Sequence, residues 1–337
     1  MKILVTGGAG YIGGTVAALL TEKGHNVIVF DNLCHSRRSS VPPGVEFIQG
    51  ELADRATIER IFKEAQDGGA PFGGVMHFAA LIEAGESMER PEIYFRNNTA
   101  ATLSLLEAML ACGPRRLVFS STAAVYGDPE SIPIQEDARL APTNPYGQSK
   151  LLVEQMLAWF NRIHGLRYAS LRYFNVAGAP EGPDGVVRGE MHEPESHLIP
   201  LVLDVALGRR PSIRIYGDDY ATPDGTCIRD YIHVSDLAEA HLLALSATGP
   251  AEEKPGPLIY NFGNGKGFSV RDVVESARRV TGHPIPAEVN PRRPGDPAVL
   301  VASSEKAMRE LGWKPRYRDL DDIVRTAWLW HQKRYNI

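Results

Sequence analysis

The chain has 337 residues, of which 43% are hydrophobic and 23% are charged, and its formal net charge is -5. This length and hydrophobic content suffice for a large buried core and suggest about two domains. The net negative charge argues against a general nucleic-acid-binding surface and against attachment to an anionic membrane, and no apolar run approaches the ~18 residues that cross a bilayer.

The three cysteines, Cys34, Cys112 and Cys227, are odd in number and far apart in the sequence. They form neither a disulfide framework nor a zinc-binding pattern, so we expect no metal site and a reducing, cytoplasmic location. No signal peptide is expected before the first apolar run, which starts directly after Met1 and Lys2.

In the first half of the chain, short apolar runs alternate with stretches of helical periodicity. The predicted strands are Lys2–Val5, Asn26–Phe30, Val45–Ile48, Val75–His77 and Arg116–Phe119, and the predicted helices are Ile12–Lys23, Ala56–Ala65, Tyr94–Ala111 and Tyr146–His164. This alternation predicts an α/β fold with a doubly wound parallel (Rossmann) sheet that is covered by helices on both faces.

The composition changes after Phe174. Residues 176–230 are rich in Gly, Pro, Asp and His, with one predicted helix, Leu198–Leu207, and one predicted strand, Ile213–Tyr216. Helix Val234–Ala247 and strand Leu258–Phe262 are expected to rejoin the first domain, residues 249–257 to form a surface loop, and residues 263–337 to hold two further helices. We therefore expect a Rossmann domain over 1–175, joined by 234–262, and a smaller C-terminal substrate-binding domain over most of 176–337.

A glycine-rich turn follows the first strand, where Gly7, Gly10 and Gly13 have the spacing G-x-x-G-x-x-G. Small residues there let the backbone approach a pyrophosphate, and the helix N-terminus supplies N–H donors. A tight turn alone also favours glycine, so the interpretation as a dinucleotide site depends on the strand before the turn and the helix after it.

Asp31 ends the second strand, about 20 residues beyond the glycines, where a carboxylate accepts hydrogen bonds from the ribose hydroxyls of NAD. The same carboxylate would repel a 2′-phosphate, so the sequence favours NAD over NADP. Arg37 and Arg38 could bind such a phosphate, but solvated loop charges are the simpler interpretation.

Tyr146 and Lys150 are four residues apart on a predicted helix and therefore share one face. A nearby ammonium favours the phenolate, as would the positive ring of NAD⁺, and such a tyrosine can act as a general base near neutral pH. Thr122 follows a predicted strand, so its hydroxyl is expected at the carboxyl edge of the sheet, where open α/β sheets bind ligands. The glycine turn and Thr122 together argue against the alternative, a surface tyrosine and lysine without function.

Segments spread over nearly the whole chain resemble the extended short-chain dehydrogenase/reductase family and, within it, the enzymes that invert C4 of a UDP-hexose. They are Asp31–Cys34, His77–Ala80, Gly85–Ser87, Asn97–Asn98, Ser120–Gly127, Pro145–Lys150, Leu171–Asn175, Asp224–Thr226, Arg229–Val234 and Pro291–Asp296.

By this resemblance, NAD would be bound by the glycine turn, by Asp31 and by Tyr11, Ile12, Asn32, Glu51, Leu52, Phe78, Ala79, Asn97, Ser120, Tyr146, Lys150 and Tyr173. The UDP-sugar would be bound by Thr122, Tyr146, Asn175, His197, Leu198, Arg214, Tyr216, Arg229, Arg293, Asp296 and Leu300. Guanidinium groups suit a diphosphate, although a single arginine is more often a surface or ion-pair residue.

The resemblance also implies a mechanism. Tyr146 would take the proton of the sugar 4-hydroxyl, directly or through Thr122, while the C4 hydride passes to the nicotinamide. The 4-keto sugar would then turn over and receive the same hydride on its other face. Departures from the family pattern, at Ile82, Glu51 and His197 among others, concern cofactor affinity and substrate preference and remove no catalytic group.

Other functions are weighed against this one. A nucleotide-sugar 4,6-dehydratase would carry acidic residues after the catalytic threonine, where this chain has Ala123 and Ala124. A non-catalytic NAD-binding protein would not need Tyr146 and Lys150. A dehydrogenase that releases NADH stays open, as does epimerisation of another UDP-sugar (an N-acetylhexosamine, a hexuronate or a pentose).

Two further expectations come from the resemblance. Leu300 would border C2 of the sugar, and its intermediate size predicts a preference for UDP-glucose and UDP-galactose over their N-acetylated counterparts. The helices over 94–111 and 146–164 would pair across a two-fold axis in a homodimer. Core packing is the alternative explanation for their apolar residues, among them Leu103, Leu106, Met156 and Trp159.

Overall fold

The computed structural model describes residues 1–182, 185–186, 188–249, 256–293 and 296–336. Most of the predicted loop over 249–257, namely residues 250–255, lies outside these ranges. Backbone contacts divide the chain into two compact units. The first comprises Met1–Asp128, Arg139–Arg172 and Ala238–Tyr260, and the second Pro129–Ala138, Tyr173–Leu237 and Asn261–Ile337.

The helices are α1 Tyr11–Glu22, α2 Arg55–Asp67, α3 Ala84–Glu89, α4 Pro91–Tyr94, α5 Ala101–Cys112, α6 Pro145–His164, α7 Leu198–Ala206, α8 Val234–Ala247, α9 Val270–Thr281, α10 Glu305–Leu311 and α11 Leu320–Tyr335. The strands are β1 Lys2–Thr6, β2 Asn26–Asp31, β3 Glu46–Gln49, β4 Phe72–His77, β5 Arg116–Thr122, β6 Arg167–Tyr173, β7 Asn175–Ala177, β8 Glu181–Gly182, β9 Gly185–Val186, β10 Ile213–Tyr216, β11 Ile228–His233, β12 Leu258–Phe262, β13 Gly267–Ser269, β14 Ala287–Asn290 and β15 Val299–Leu300. A π-helical segment, Phe95–Ala100, connects α4 to α5.

The first unit is built on a seven-stranded sheet with the strand order β12-β6-β5-β4-β1-β2-β3. Strands β3, β2, β1, β4 and β5 pair in parallel, so their carboxyl ends lie at one edge. Ile3, Leu4 and Val5 have no exposed surface, as expected of a strand that is covered on both faces. The doubly wound parallel sheet is confirmed, and the strand order reverses between β1 and β4, where such folds bind ligands.

Helices α2, α5 and α6 supply much of the core on one side of this sheet. Leu106 is fully buried there and Met156 packs against the same cluster, whereas Leu103 and Trp159 are 37% and 58% exposed. Of these four residues, Leu106 is therefore part of the core, Met156 is partly buried against it, and Leu103 and Trp159 lie at the surface. Within the described ranges, no helix is both long enough and apolar enough to cross a membrane.

The second unit has smaller sheets and its own core. Strand β11 pairs with β7, β13 and β15, and β10 pairs in parallel with β14. Helices α7, α9 and α11 pack together over Val202, Val273 and Ile323, none of which is exposed. Helix α9 begins with a capping box, in which Ser269 and Asp272 each bond to the backbone N–H of the other.

The sequence prediction missed several short strands, among them β7, β13, β14 and β15, and the predicted helix over 94–111 is interrupted by the π-helical segment. Strands β6 and β11 were not predicted, because each carries charged residues inside a buried strand, such as Arg172 and Asp230. The described part of 263–336 holds three helices, rather than the predicted two, since the seven-residue α10 is too short to show a clear helical period.

Candidate active site

The glycine turn closes tightly between β1 and α1. Gly7 has a positive φ of 71°, and a Cβ atom there would lie 2.5 Å from the backbone nitrogen of Ala79. A Cβ atom on Gly13 would lie 2.4 Å from the carbonyl oxygen of Gly7. Gly10 is the N-cap of α1, whose first-turn N–H groups have no acceptor within the helix. The turn therefore fits a pyrophosphate at the carboxyl edge of the sheet.

Asp31 ends β2 beside this turn and fixes it. One carboxylate oxygen accepts a hydrogen bond from Ala9 N at 3.0 Å, and the other accepts from Leu33 N at 2.8 Å and from Ser36 Oγ at 3.0 Å. The Asp31 side chain is mostly buried. The guanidinium group of Arg38 lies 4.4 Å from the ring centre of Phe47, which gives that arginine a packing role.

Helix α6 places the tyrosine and lysine at the same sheet edge. The side chain of Asn144 caps the helix by accepting a hydrogen bond from Gly147 N at 2.8 Å. A Cβ atom on Gly147 would lie 2.6 Å from the carbonyl oxygen of Ala124, so this glycine lets the helix approach the segment that follows β5. Lys150 lies one turn further along and donates a hydrogen bond to the carbonyl oxygen of Ser120 at 2.8 Å.

The ionisation of this pair is controlled mainly by burial. Burial raises the pKa of Tyr146 to about 12, and a hydrogen bond with Thr122 acts in the lowering direction. Burial also lowers the pKa of Lys150 to about 7. The pKa shift at Tyr146 is opposite to the one expected from a neighbouring ammonium, because burial disfavours the phenolate.

Asn98 was not predicted as a functional residue, although it holds the start of α6 in place. It lies in the π-helical segment, donates hydrogen bonds to Leu81 O at 2.9 Å and Ser149 Oγ at 3.0 Å, and accepts one from Leu81 N at 2.8 Å. Ser149 in turn donates to the carbonyl oxygen of Tyr146 at 2.7 Å. The available signal was the pair Asn97–Asn98, of which only the first was assigned a role.

A buried ion pair between Glu154 and Arg172 contacts strand β5 through Ser121. Glu154 lies on α6, one turn after Lys150, and pairs with Arg172 of β6 at 2.6 Å. Ser121 donates a hydrogen bond to the same carboxylate at 2.5 Å, and Arg172 donates another to Tyr126 Oη at 2.9 Å. Breaking a buried ion pair is costly, because it leaves an unpaired buried charge. We therefore expect this network to stay intact and to fix Ser121, the residue before Thr122.

The remaining residues assigned to the cofactor take varied positions. Asn32 donates a hydrogen bond to Glu51 at 3.1 Å, and the ring of Phe78 lies 4.8 Å from that of His241. Tyr11 and Ile12 begin α1, Leu52 is buried, Asn97 donates to Asn98, and Tyr173 ends β6 and belongs to the second unit.

Arginines predicted to bind a diphosphate lie in the second unit, in two groups. Arg229 of β11 pairs with Asp296 at 2.6 Å and also donates to its neighbour's carbonyl. The guanidinium group of Arg293 lies 3.9 Å from the ring centre of Tyr216. A hydrogen bond from Arg293 and a weaker one from Arg214 lower the pKa of Tyr216.

The other residues predicted to bind the substrate lie either in paired β-strands or at the start of helix α7. Leu300 of β15 lies opposite Arg229, and Asn175 of β7 lies opposite Tyr231. His197 is the N-cap of α7, and Leu198 is the first residue of that helix. The His197 ring faces Glu190, which raises its pKa well above the usual value.

The sequence as a whole has clear relatives. The profile of the NAD dependent epimerase/dehydratase family matches residues 3–263, and the chain belongs to that family. It is 55% identical to the UDP-glucose 4-epimerase of Streptomyces lividans, over 98% of this chain and 96% of that protein.

Solved structures agree with this assignment. The UDP-glucose 4-epimerase of Brucella ovis in complex with NAD has 44% identity and a TM-score of 0.90, over 97% of both chains. The enzyme of Bifidobacterium longum in complex with NAD⁺ and UDP has 39% identity and a TM-score of 0.91, over 100% of this chain and 99% of that one.

The burial of Lys150 predicts a pH-dependent stability. Its pKa of about 7 in the folded protein lies below the ~10.4 of an exposed lysine, so between these pH values the unfolded chain binds more protons. The wild type should therefore gain stability relative to Lys150→Met as the pH rises from about 7 to about 10. Urea unfolding at several pH values measures this difference. The same substitution at the exposed Lys63 serves as control, and a difference for Lys150→Met that stays constant with pH would contradict the prediction.

Proposed function

We propose that this protein catalyses the reversible C4 epimerisation of a UDP-hexose, UDP-glucose or UDP-galactose, through a 4-keto intermediate and with tightly bound NAD. The observation that carries the proposal is the arrangement at the carboxyl edge of the sheet. There Tyr146 lies one helical turn before the buried Lys150, whose ammonium donates to Ser120 O, and both residues belong to the same unit as Thr122 and the glycine turn. The similarity to UDP-glucose 4-epimerases over nearly the whole chain supports it.

The first unit has the residues to hold NAD. Gly7, Gly10 and Gly13 would bind the pyrophosphate, and Asp31 has lone pairs left for the ribose hydroxyls. When bound, NAD supplies a site that takes a hydride from C4 and gives it back, and a positive ring that favours the Tyr146 phenolate.

Tyr146 would act as the base and the acid of the cycle. It takes the proton from the sugar 4-hydroxyl, directly or through Thr122, and returns it after the sugar has turned over. The Lys150 ammonium is fixed by Ser120, so it would stabilise the phenolate without reaching the sugar. No net oxidation occurs, and the cofactor would stay bound through many turnovers.

Residues of the second unit would hold the UDP part of the substrate. Arg229 and Arg293 are suited to the diphosphate, and Tyr216 would lie beside the uracil. Since Asp296 already pairs with Arg229, that guanidinium is oriented before the substrate arrives. Tight binding of UDP with a loosely held hexose would let the keto sugar turn without escaping.

The alternatives have less support. Ala123 and Ala124 follow Thr122 and form a short 3₁₀ turn, and neither can transfer a proton as a 4,6-dehydratase requires. A homodimer is proposed on the resemblance and on the exposed apolar surface of Leu103 and Trp159. A cytoplasmic location is proposed from the cysteine pattern.

Replacing Tyr146 with Phe tests the catalytic role. We expect the turnover of UDP-galactose to fall by about 10²-fold or more, the scale of lost acid–base catalysis, while UDP binding persists. The matched control is Tyr94→Phe, which removes the hydroxyl of a neighbouring tyrosine bonded to Glu86, and it should keep most of the activity. Near-normal turnover in Tyr146→Phe would overturn the assignment.

Identification of the bound nucleotide tests the role of Asp31. Denaturation of the purified protein followed by mass spectrometry should release NAD and NADH, because the Asp31 carboxylate would repel a 2′-phosphate. The measurement needs no turnover. A predominance of NADP would show that Arg37 or Arg38 determines the choice instead.

Substitutions of Leu300 test the sugar preference. Leu300→Ser should raise kcat/KM for UDP-N-acetylglucosamine relative to UDP-glucose, by about 10-fold or more, because the smaller side chain leaves room at C2. Leu300→Tyr should lower the ratio. Val299→Ser, whose side chain points to the other face of the strand, is the control and should leave the ratio unchanged. If neither change at Leu300 moves the ratio, the pocket is bounded elsewhere.

A further inference from the structure

Four side chains that commonly bind metals meet in the loop before α7, in the second unit. They are Glu190, His192, Glu195 and His197, and one ligand atom of each lies within 4.8 Å of the ligand atoms of all the others. We propose that these residues form a structural site for one divalent transition metal ion, and that zinc is the ion it suits best.

The four distances between a histidine and a glutamate ligand atom are close to those of a tetrahedron around such an ion, and the other two are at most 4.8 Å. The Nδ1 atom of His197 lies 2.9 Å from Glu190 Oε1 and 3.2 Å from Glu195 Oε1. The Nδ1 atom of His192 lies 3.3 and 3.8 Å from the same two oxygens. Zinc bonds of about 2.0–2.2 Å in tetrahedral geometry require ligand atoms about 3.4 Å apart, so the four side chains would need only small movements.

The environment of the cluster also favours an ion. Glu190 is buried, and a buried carboxylate requires a compensating positive charge. The buried His192 Nδ1 atom lies within reach of Glu190 but has the alignment of a hydrogen bond with none of the described residues. A metal ion at the centre would satisfy both groups.

Backbone donors already orient one of the carboxylates. Glu195 Oε1 accepts hydrogen bonds from Ser196 N at 2.9 Å and from His197 N at 3.0 Å, which is the kind of support that metal ligands receive. Two imidazoles and two carboxylates favour zinc over magnesium or calcium, which prefer oxygen ligands. Four protein ligands leave no position for a reactant, so the site would be structural.

Such an ion would connect the loop over 190–197 to the start of α7. His197 directly precedes Leu198, the first residue of that helix. The ion would therefore fix the backbone at this point and leave the Nε2 atom of His197 free of the metal. This inference stands apart from the proposed function, since metal binding is measured without turnover.

The competing interpretation is a closed network of two imidazolium–carboxylate pairs that binds no metal. To separate the two, the full-length protein without a histidine tag is treated with a chelator, dialysed and titrated with zinc chloride by calorimetry. We expect one zinc ion per chain and a rise in the thermal unfolding temperature with zinc. Cobalt(II) in its place should give the intense visible absorption of a tetrahedral complex.

Variants then assign the ligands. His192→Gln and Glu195→Gln should each weaken zinc binding by at least about 100-fold, since a ligand matters more than its outer-shell support. His164→Gln, at an exposed histidine at the end of α6, is the matched control and should bind zinc as the wild type does. Circular dichroism confirms the fold of each variant.

Two results would overturn the proposal: wild-type protein that binds no zinc, or binding that His192→Gln and Glu195→Gln leave unchanged. Should both variants fail to fold, the cobalt spectrum of the wild type decides. A tetrahedral spectrum at one ion per chain supports the site, and an octahedral one indicates surface binding and rejects it.

Discussion

The arrangement of the proposed catalytic residues depends on a lysine that is held almost entirely out of water. Lys150 is 3% exposed, its ammonium donates to the carbonyl oxygen of Ser120, and it lies 5.0 Å from the ring centre of Phe119. Burying an ammonium is costly, so the helix that carries it must keep a fixed position against β5. Tyr146 and Thr122 derive their mutual placement from that same contact.

Other polar contacts reinforce this placement from several directions. Asn98 donates a hydrogen bond to Ser149 in the first turns of α6. Glu154 accepts one from Ser121, the residue of β5 that follows Ser120. Each contact lies outside the reacting groups, yet together they leave the tyrosine few alternative positions. The proton transfer proposed for Tyr146 requires such support, because a misplacement of about 1 Å can cost ~10²-fold in rate.

Features that depend on short-range periodicity could be predicted from the sequence. The glycine turn, Asp31 at the end of β2 and the spacing of Tyr146 and Lys150 all depend on local pattern, and the structure places them as expected. The pairing of Glu154 with Arg172 could not be predicted, because the two residues lie on different elements. In addition, a charged residue such as Arg172 is not expected inside a buried strand, so β6 itself was missed. The direction of the pKa shift at Tyr146 was missed for a related reason, since burial is a property of the whole fold.

The hydrogen bonds of Asp31 have a consequence for how cofactor preference could evolve. Its carboxylate receives the N–H group of Ala9 and also orders the chain at Leu33 and Ser36. A change of preference toward NADP could not come from replacing Asp31 with a neutral residue alone, because the glycine turn would lose its hydrogen bond from Ala9 at the same time. Changes in the loop over 32–36 would have to come first, so a single substitution is a poor starting point for such a switch.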